Sequence, residues 1–176
     1  MSKLKILTDF WGTENHRFSS VRYVCPLIAV KDIEKSKRFY ENVLKQEIEL
    51  DLGENVAFKG GFAIHDMEHF QNLTGKSLST NISKDFMELY FELNEIEELK
   101  SKLESLNTEF VHKIREQPWG QRVMGFYGPD KYIIEVGEPL EFVVKRFAAQ
   151  GFSLEEISKK SSMPVEFVQM VLDHDL

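Results

Sequence analysis

The chain of 176 residues has one cysteine, Cys25, so no disulfide can form within it. That absence excludes the small disulfide-stapled folds and points to a reducing compartment, which makes a cytoplasmic location the expectation. No apolar stretch approaches the ~20 residues that a membrane-spanning helix needs. The N-terminus carries Lys3 and Lys5 but only Ile6 and Leu7 as an apolar core, too little for a signal peptide. Positive charge is short as well. Lys and Arg total 22 against 29 Asp and Glu, for a formal charge of −7. Such a balance argues against nucleic acid and against an anionic membrane surface as partners. There is no glycine-rich phosphate loop and no clear site for a thiol cofactor.

What remains is ordinary for a globular protein: 42% hydrophobic and 29% charged residues, enough chain for one domain with an appendage. The organising stretch is Cys25 to Leu44, "CPLIAVKDIEKSKRFYENVL". Leu27, Ile28 and Val30 make a strand, and Asp32 stands at an N-cap position. Ile33, Ser36, Phe39, Val43 and Leu44 then fall on one helical face. The pattern returns in Met87 to Leu106, "MELYFELNEIEELKSKLESL". Leu89, Phe91 and Leu93 alternate with polar neighbours. Asn94 is expected to cap with Glu97 three residues on, and Ile96, Leu99, Leu103 and Leu106 form the stripe. Asn94 follows Asp32 by 62 residues, a spacing that suggests internal duplication.

Strands expected after each helix complete the pattern. In the first half they cover 45–50, 55–58 and 61–65, with a hairpin at Lys59-Gly60-Gly61. In the second half they cover 108–115, 121–127 and 132–136, with a turn at Gly128-Pro129-Asp130-Lys131. Each half therefore reads β-α-β-β-β. The fold class is α+β: two tandem modules forming curled mixed sheets around a cavity. Residues 1–20 read as an N-terminal arm, and 66–86 hold a linker that contains a helix. Residues 140–176 show three short helical segments, with a capping box at Ser153 and Glu156 and Pro164 at a first helical position. The last helix carries Glu166 and Asp173 and no Lys or Arg. A packing or dimerising tail fits it better than a DNA reader.

Three stretches carry a resemblance to a known family. "PLIAVKDIEKSKRFYENVL", "ENVAFKGGFAIHD" and "PWGQRVMGFYGPDKYIIEVGEP" resemble the first strand and helix, the third and fourth strands, and the closing hairpin of the vicinal oxygen chelate superfamily. That superfamily groups glyoxalase I, bleomycin- and fosfomycin-resistance proteins and extradiol dioxygenases. The likeness makes 21–139 a glyoxalase-like domain, with module one at 21–66 and module two at 86–137. Metal-dependent members place a ligand on the first and last strand of each half. Carried across, those positions are Cys25, His65, Glu88 and Glu135. The resemblance thus implies a divalent ion (zinc, nickel, manganese or iron), with Glu135 and Glu88 as candidate catalytic carboxylates. Cys25 departs from the pattern, since His, Glu or Gln is usual there.

Strand parity supports these four positions, aiming them away from the helix-facing side of their strands. For each, a plainer role stands beside the ligand role. A lone strand cysteine such as Cys25 is usually a small buried hydrophobe, His65 reads also as a hydrogen-bonded wall residue, and Glu88 and Glu135 as partners of Arg115 or Arg122. Tyr90, Trp119, Phe126 and Arg122, with Tyr127, are candidate pocket residues. His16, His69, His112 and His174 read as surface. Three functions stay open. One is a metal-dependent lyase or isomerase of the glyoxalase I type, acting on a small molecule with vicinal oxygens. Another is a metal-free protein that sequesters a cationic small molecule. The third is a ligand-sensing module whose tail binds a partner protein. A homodimer is expected.

Overall fold

The computed structural model describes residues 23–77 and 87–174. The expected arm, 1–20, lies outside the described residues. The chain divides into two compact units, residues 1–80 and 81–176, and each is taken by itself.

In the first unit, β1 (Leu27–Val30) leads through α1 (Ile33–Asn42) to β2 (Ile48–Asp51), β3 (Asn55–Phe58) and β4 (Phe62–Asp66), followed by α2 (Met67–Thr74). The sheet order is β1-β4-β3-β2. β1 and β4 run parallel, a pairing that needs the crossover α1 supplies, and the rest is antiparallel. Asp32 caps α1 by accepting from the amide of Lys35. The helix buries Ser36 and Tyr40 rather than Phe39. Tyr40 packs on Phe58 and Phe62, whose rings stack 4.7 Å apart. Ile28, Val30, Val56 and Ile64 complete this core.

The second unit repeats the order. β5 (Glu88–Glu92), α3 (Ile96–Ser105), β6 (Phe110–Glu116), β7 (Arg122–Tyr127) and β8 (Ile133–Gly137) form a sheet of order β5-β8-β7-β6. β5 thus holds in its sheet the place that β1 holds in the other. The two units are duplicated modules, each with an open four-stranded mixed sheet. Ile96, Leu99 and Leu103 are buried as the periodicity predicts, but Leu106 is exposed, because the helix ends at Ser105. The cap differs too. The helix starts one residue later than expected, with Glu95 at the N-cap and no side-chain cap bond, so Asn94 does not serve. The turn before β8 holds Lys131 at φ 62, a left-handed conformation, with its ammonium paired to Glu109.

Beyond β8, the same unit continues into α4 (Leu140–Ala149), α5 (Leu154–Ser161) and α6 (Val165–Asp173). They close on a core of their own made by Val143, Val144, Phe147, Ile157, Met163, Val168 and Val171. Ser153 and Glu156 form the expected capping box at the start of α5.

Candidate functional site

Residues paired across a sheet share a face, so the register of module two assembles a surface directly. Tyr90 pairs with Glu135, Glu135 with Gly125, and Gly125 with His112. These four make one row across all four strands. The next row is Glu92, Gly137, Val123 and Arg115. The opposite face carries Leu89, Met124, Phe126, Ile134 and Val136, all buried. One face of this sheet is therefore core, and the other gathers an acid, an imidazole, a guanidinium and a phenol.

Two glycines make that packing possible. A Cβ on Gly125 would stand 3.1 Å from His112 Nε2, and one on Gly137 would stand 2.8 Å from the Tyr90 hydroxyl. Each glycine leaves the space that a ring occupies. The imidazole then reaches Glu135, with Nε2 and Oε2 4.0 Å apart. The phenol is held by Gln121, whose Nε2 donates to it at 2.7 Å, and it donates in turn to Glu92 at 3.2 Å. Gln121 is buried. Its amide also donates to the carbonyl of Glu138 at 2.6 Å, and its oxygen accepts from the Trp119 indole at 3.0 Å.

Charge on this face is tuned by that arrangement. Burial pushes the Glu135 carboxyl above the ordinary carboxylate range, and the neighbouring charge of Glu88 pushes it further; His112 and Arg115 act against them. Burial of its hydroxyl end and the charge of Glu92 push Tyr90 up to about 12, although 46% of the residue is exposed. The hydroxyl and one ring edge lie over Gly137, and the hydroxyl is held by Gln121.

Module one has a plainer face. Cys25 packs with Leu50, Ala57 and Ala63, and burial followed by the charge of Glu49 raises its thiol pKa. His65 pairs in register with Ala29. Cys25 lies outside β1, four residues before Ala29, and sits in the apolar cluster of Leu50, Ala57 and Ala63 rather than at the His65–His69 pair. The two are therefore not brought together. His65 instead meets His69, Nε2 to Nδ1 at 3.0 Å, at the start of the helix capped by Asp66. Burial, and then His69, lower its pKa, against Asp66 and Glu54.

The expected site residues separate accordingly. Glu135, Glu88, Tyr90 and Trp119 belong to the polar side of module two, with Glu88 exposed rather than buried. Phe126 is fully buried and belongs to the opposite, core side. Arg122 shares that parity; it pairs with the buried Glu138 at 2.5 Å and does not reach Glu135. Arg115 is the arginine that acts on Glu135. His69 is exposed as expected, though it meets His65, whereas His112 is half-buried and reaches Glu135. Sequence reading missed His112 and Gln121. His112 and Arg115 are three apart, which simple alternation sends to opposite faces. Irregularities in the β6–β7 register reunite them. Among the described residues no three His, Cys, Asp or Glu side chains are already gathered to hold a metal.

Comparison with known proteins gives the same outline. The family model described as a glyoxalase-like domain matches residues 23–141. A protein of unknown function from Agrobacterium tumefaciens is 37% identical, with 70% of this chain and 98% of that one covered and a TM-score of 0.62. A glyoxalase/bleomycin resistance protein/dioxygenase from Nocardioides is 22% identical over 80% of this chain and 95% of its own, with a TM-score of 0.54. The fosfomycin resistance protein FosX from Listeria monocytogenes, complexed with Mn(II) and sulfate, is 20% identical over 73% and 99%, with a TM-score of 0.53. No curated protein matches the chain. At those identities the last two structures establish the fold alone.

Proposed function

The chain belongs to the glyoxalase-like domain family, and from that premise we propose that it is a metal-dependent lyase or isomerase acting on a small molecule with vicinal oxygens. The observation that carries this reading is the row Tyr90, Glu135, Gly125, His112. It surrounds a half-buried carboxyl of raised pKa with an imidazole and a phenol. A carboxyl shifted toward neutrality is a better base for a carbon-bound proton than an ordinary one, and it returns the proton more readily. Glu135 is the base in this scheme. Glu88 is exposed, and its part is to raise the Glu135 pKa and to offer a second carboxylate.

The donor chemistry fits a first-row divalent ion, since carboxylate oxygen and imidazole nitrogen are its ordinary ligands. Within module two, Glu88 and Glu135 are the residues that would hold it, leaving positions open as catalytic sites require. When bound, such an ion polarises the oxygens of a substrate. The chain's own residues do the rest. Glu135 accepts and returns the proton, His112 supports its charge, and Tyr90 and Trp119 offer ring faces that orient the substrate. Metal analysis of protein purified without chelator, then dialysed against zinc, nickel, manganese or iron, tests this. Wild type is expected to take up one ion, and Glu135→Gln to lose affinity by at least about tenfold while its circular dichroism stays unchanged. A wild type that takes up none of the four ions defeats the lyase reading.

One observation favours a second reading, metal-free sequestration of a cationic small molecule. The thiolate is the form of cysteine that ligates a metal, and the apolar cluster around Cys25 disfavours it. The carboxylates Glu88, Glu92 and Glu135 around the exposed Tyr90 ring would then meet an organic cation. Binding of a quaternary ammonium probe by metal-free protein, lost in Glu135→Gln, supports this second reading; no binding removes it.

A further inference from the structure

Trp119 and Tyr90 are 38% and 46% exposed, yet both are held by hydrogen bonds to the buried Gln121. The bonds converge on Gln121 and, through it, on Glu138, which is fully buried. Glu138 works in two directions. Its carbonyl accepts from Gln121 at 2.6 Å, on the side of the polar face. Its carboxylate accepts from Arg122 Nε at 2.6 Å and from Arg146 Nη2 at 3.2 Å. Arg146 belongs to α4, the first helix of the C-terminal tail.

The same guanidinium also grips the turn that carries Trp119. Its Nη2 donates to the carbonyl of Gly120, and its Nη1 lies 3.4 Å from Glu116 at the end of β6. The turn is closed by Gln117 and Gln121 at 2.8 Å, and Gly120 sits at φ 85. A Cβ on Gly120 would stand 2.3 Å from the Phe147 ring, so the residue after Arg146 lies against the same turn. Arg146 and Phe147 of the tail thus both meet Gly120, in the turn that carries Trp119.

We propose that Arg146 is a positioning residue: through Glu138 and Gly120, the helical tail holds the turn that sets Trp119, Gln121 and Tyr90 on the polar face. This inference rests on reading that face as the site, but it concerns how the face is held and not what it binds. A buried relay that stops two exposed rings from swinging preorganises them for a ligand. A tail that served only for stability would leave the Trp119 ring as it stands when this one link is weakened.

The test uses full-length protein without ligand. Trp11→Phe makes Trp119 the single tryptophan, since the chain has two. Acrylamide, being neutral, reports ring access without responding to charge. In that background Arg146→Lys keeps the charge but, with one nitrogen in place of the fork, cannot hold Glu116, Gly120 and Glu138 together. It is expected to raise the acrylamide quenching constant of Trp119 by about twofold, as local opening exposes the ring. Val168→Ala, in the tail core and away from the turn, is expected to lower the melting temperature and leave quenching at the parent value. Should Arg146→Lys not fold, Glu116→Gln removes only the exposed arm of the link and is expected to raise quenching by a smaller factor. Unchanged quenching in the folded Arg146 variant, or in its Glu116 substitute, overturns the proposal, as does an equal rise in Val168→Ala. Because no ligand enters the measurement, its failure leaves the reading of the site standing, and failure of that reading leaves this result standing.

Discussion

Glu135 owes its raised pKa first to burial and then to Glu88, and substitution can separate the two. In metal-free protein, Glu88→Gln should lower the Glu135 pKa and His112→Ala should raise it further. Titration of the side-chain carboxyl by carbon NMR reads both directions. For stability the sign is definite: a carboxyl with a raised folded-state pKa favours the fold while protonated, and that contribution is lost as pH rises through the carboxylate range. Tyr90 obeys the same sign at the other end of the scale. Its ordinary value is near 10 and the fold moves it to about 12. Its contribution is therefore whole below pH 10 and declines as pH climbs toward 12. An ultraviolet titration of the tyrosines should show one late component, absent in Tyr90→Phe. An unchanged late component would mean that another tyrosine carries it.

At the scale of elements, the tail gives the cleanest check. Ser153 and Glu156 are exposed and the side chain of each bonds the other's backbone amide, so Ser153→Ala should cost about 1 kcal/mol in urea denaturation without touching the core. The capping box is also a fair sample of what the sequence discloses. Local rules found it, as they found Asp32, the strand parities and the repeated order, because each depends on a few neighbouring side chains. They misjudged the cap of α3, where the chain begins the helix at Ile96 and leaves Asn94 outside. They chose Phe39 over Tyr40 for burial, because the aromatic partners Phe58 and Phe62 are distant in sequence. The site was less legible than the fold. The family resemblance named Glu135 and Glu88 and parity agreed with it, but Phe126 was taken to line a pocket although its strand neighbours put it in the core. His112 needed the irregular register of β6, which no short-range pattern announces. The Arg146–Glu138 link joins residues whose pairing follows only from the folded unit.

For the whole molecule, the central claim is that the polar face of module two, around Glu135, is where chemistry takes place. The chain is acidic throughout, with a formal charge of −7, so weak cation binding anywhere is no test by itself. What discriminates is position. Proton–nitrogen NMR spectra of wild type with substoichiometric Mn(II) broaden the amides nearest the ion. The account predicts that Glu88, Tyr90, Gly125, Glu135 and Gly137 broaden first, and that Glu135→Gln abolishes the effect at those amides. Broadening that begins elsewhere and spares this row, or persists there in Glu135→Gln, would contradict it.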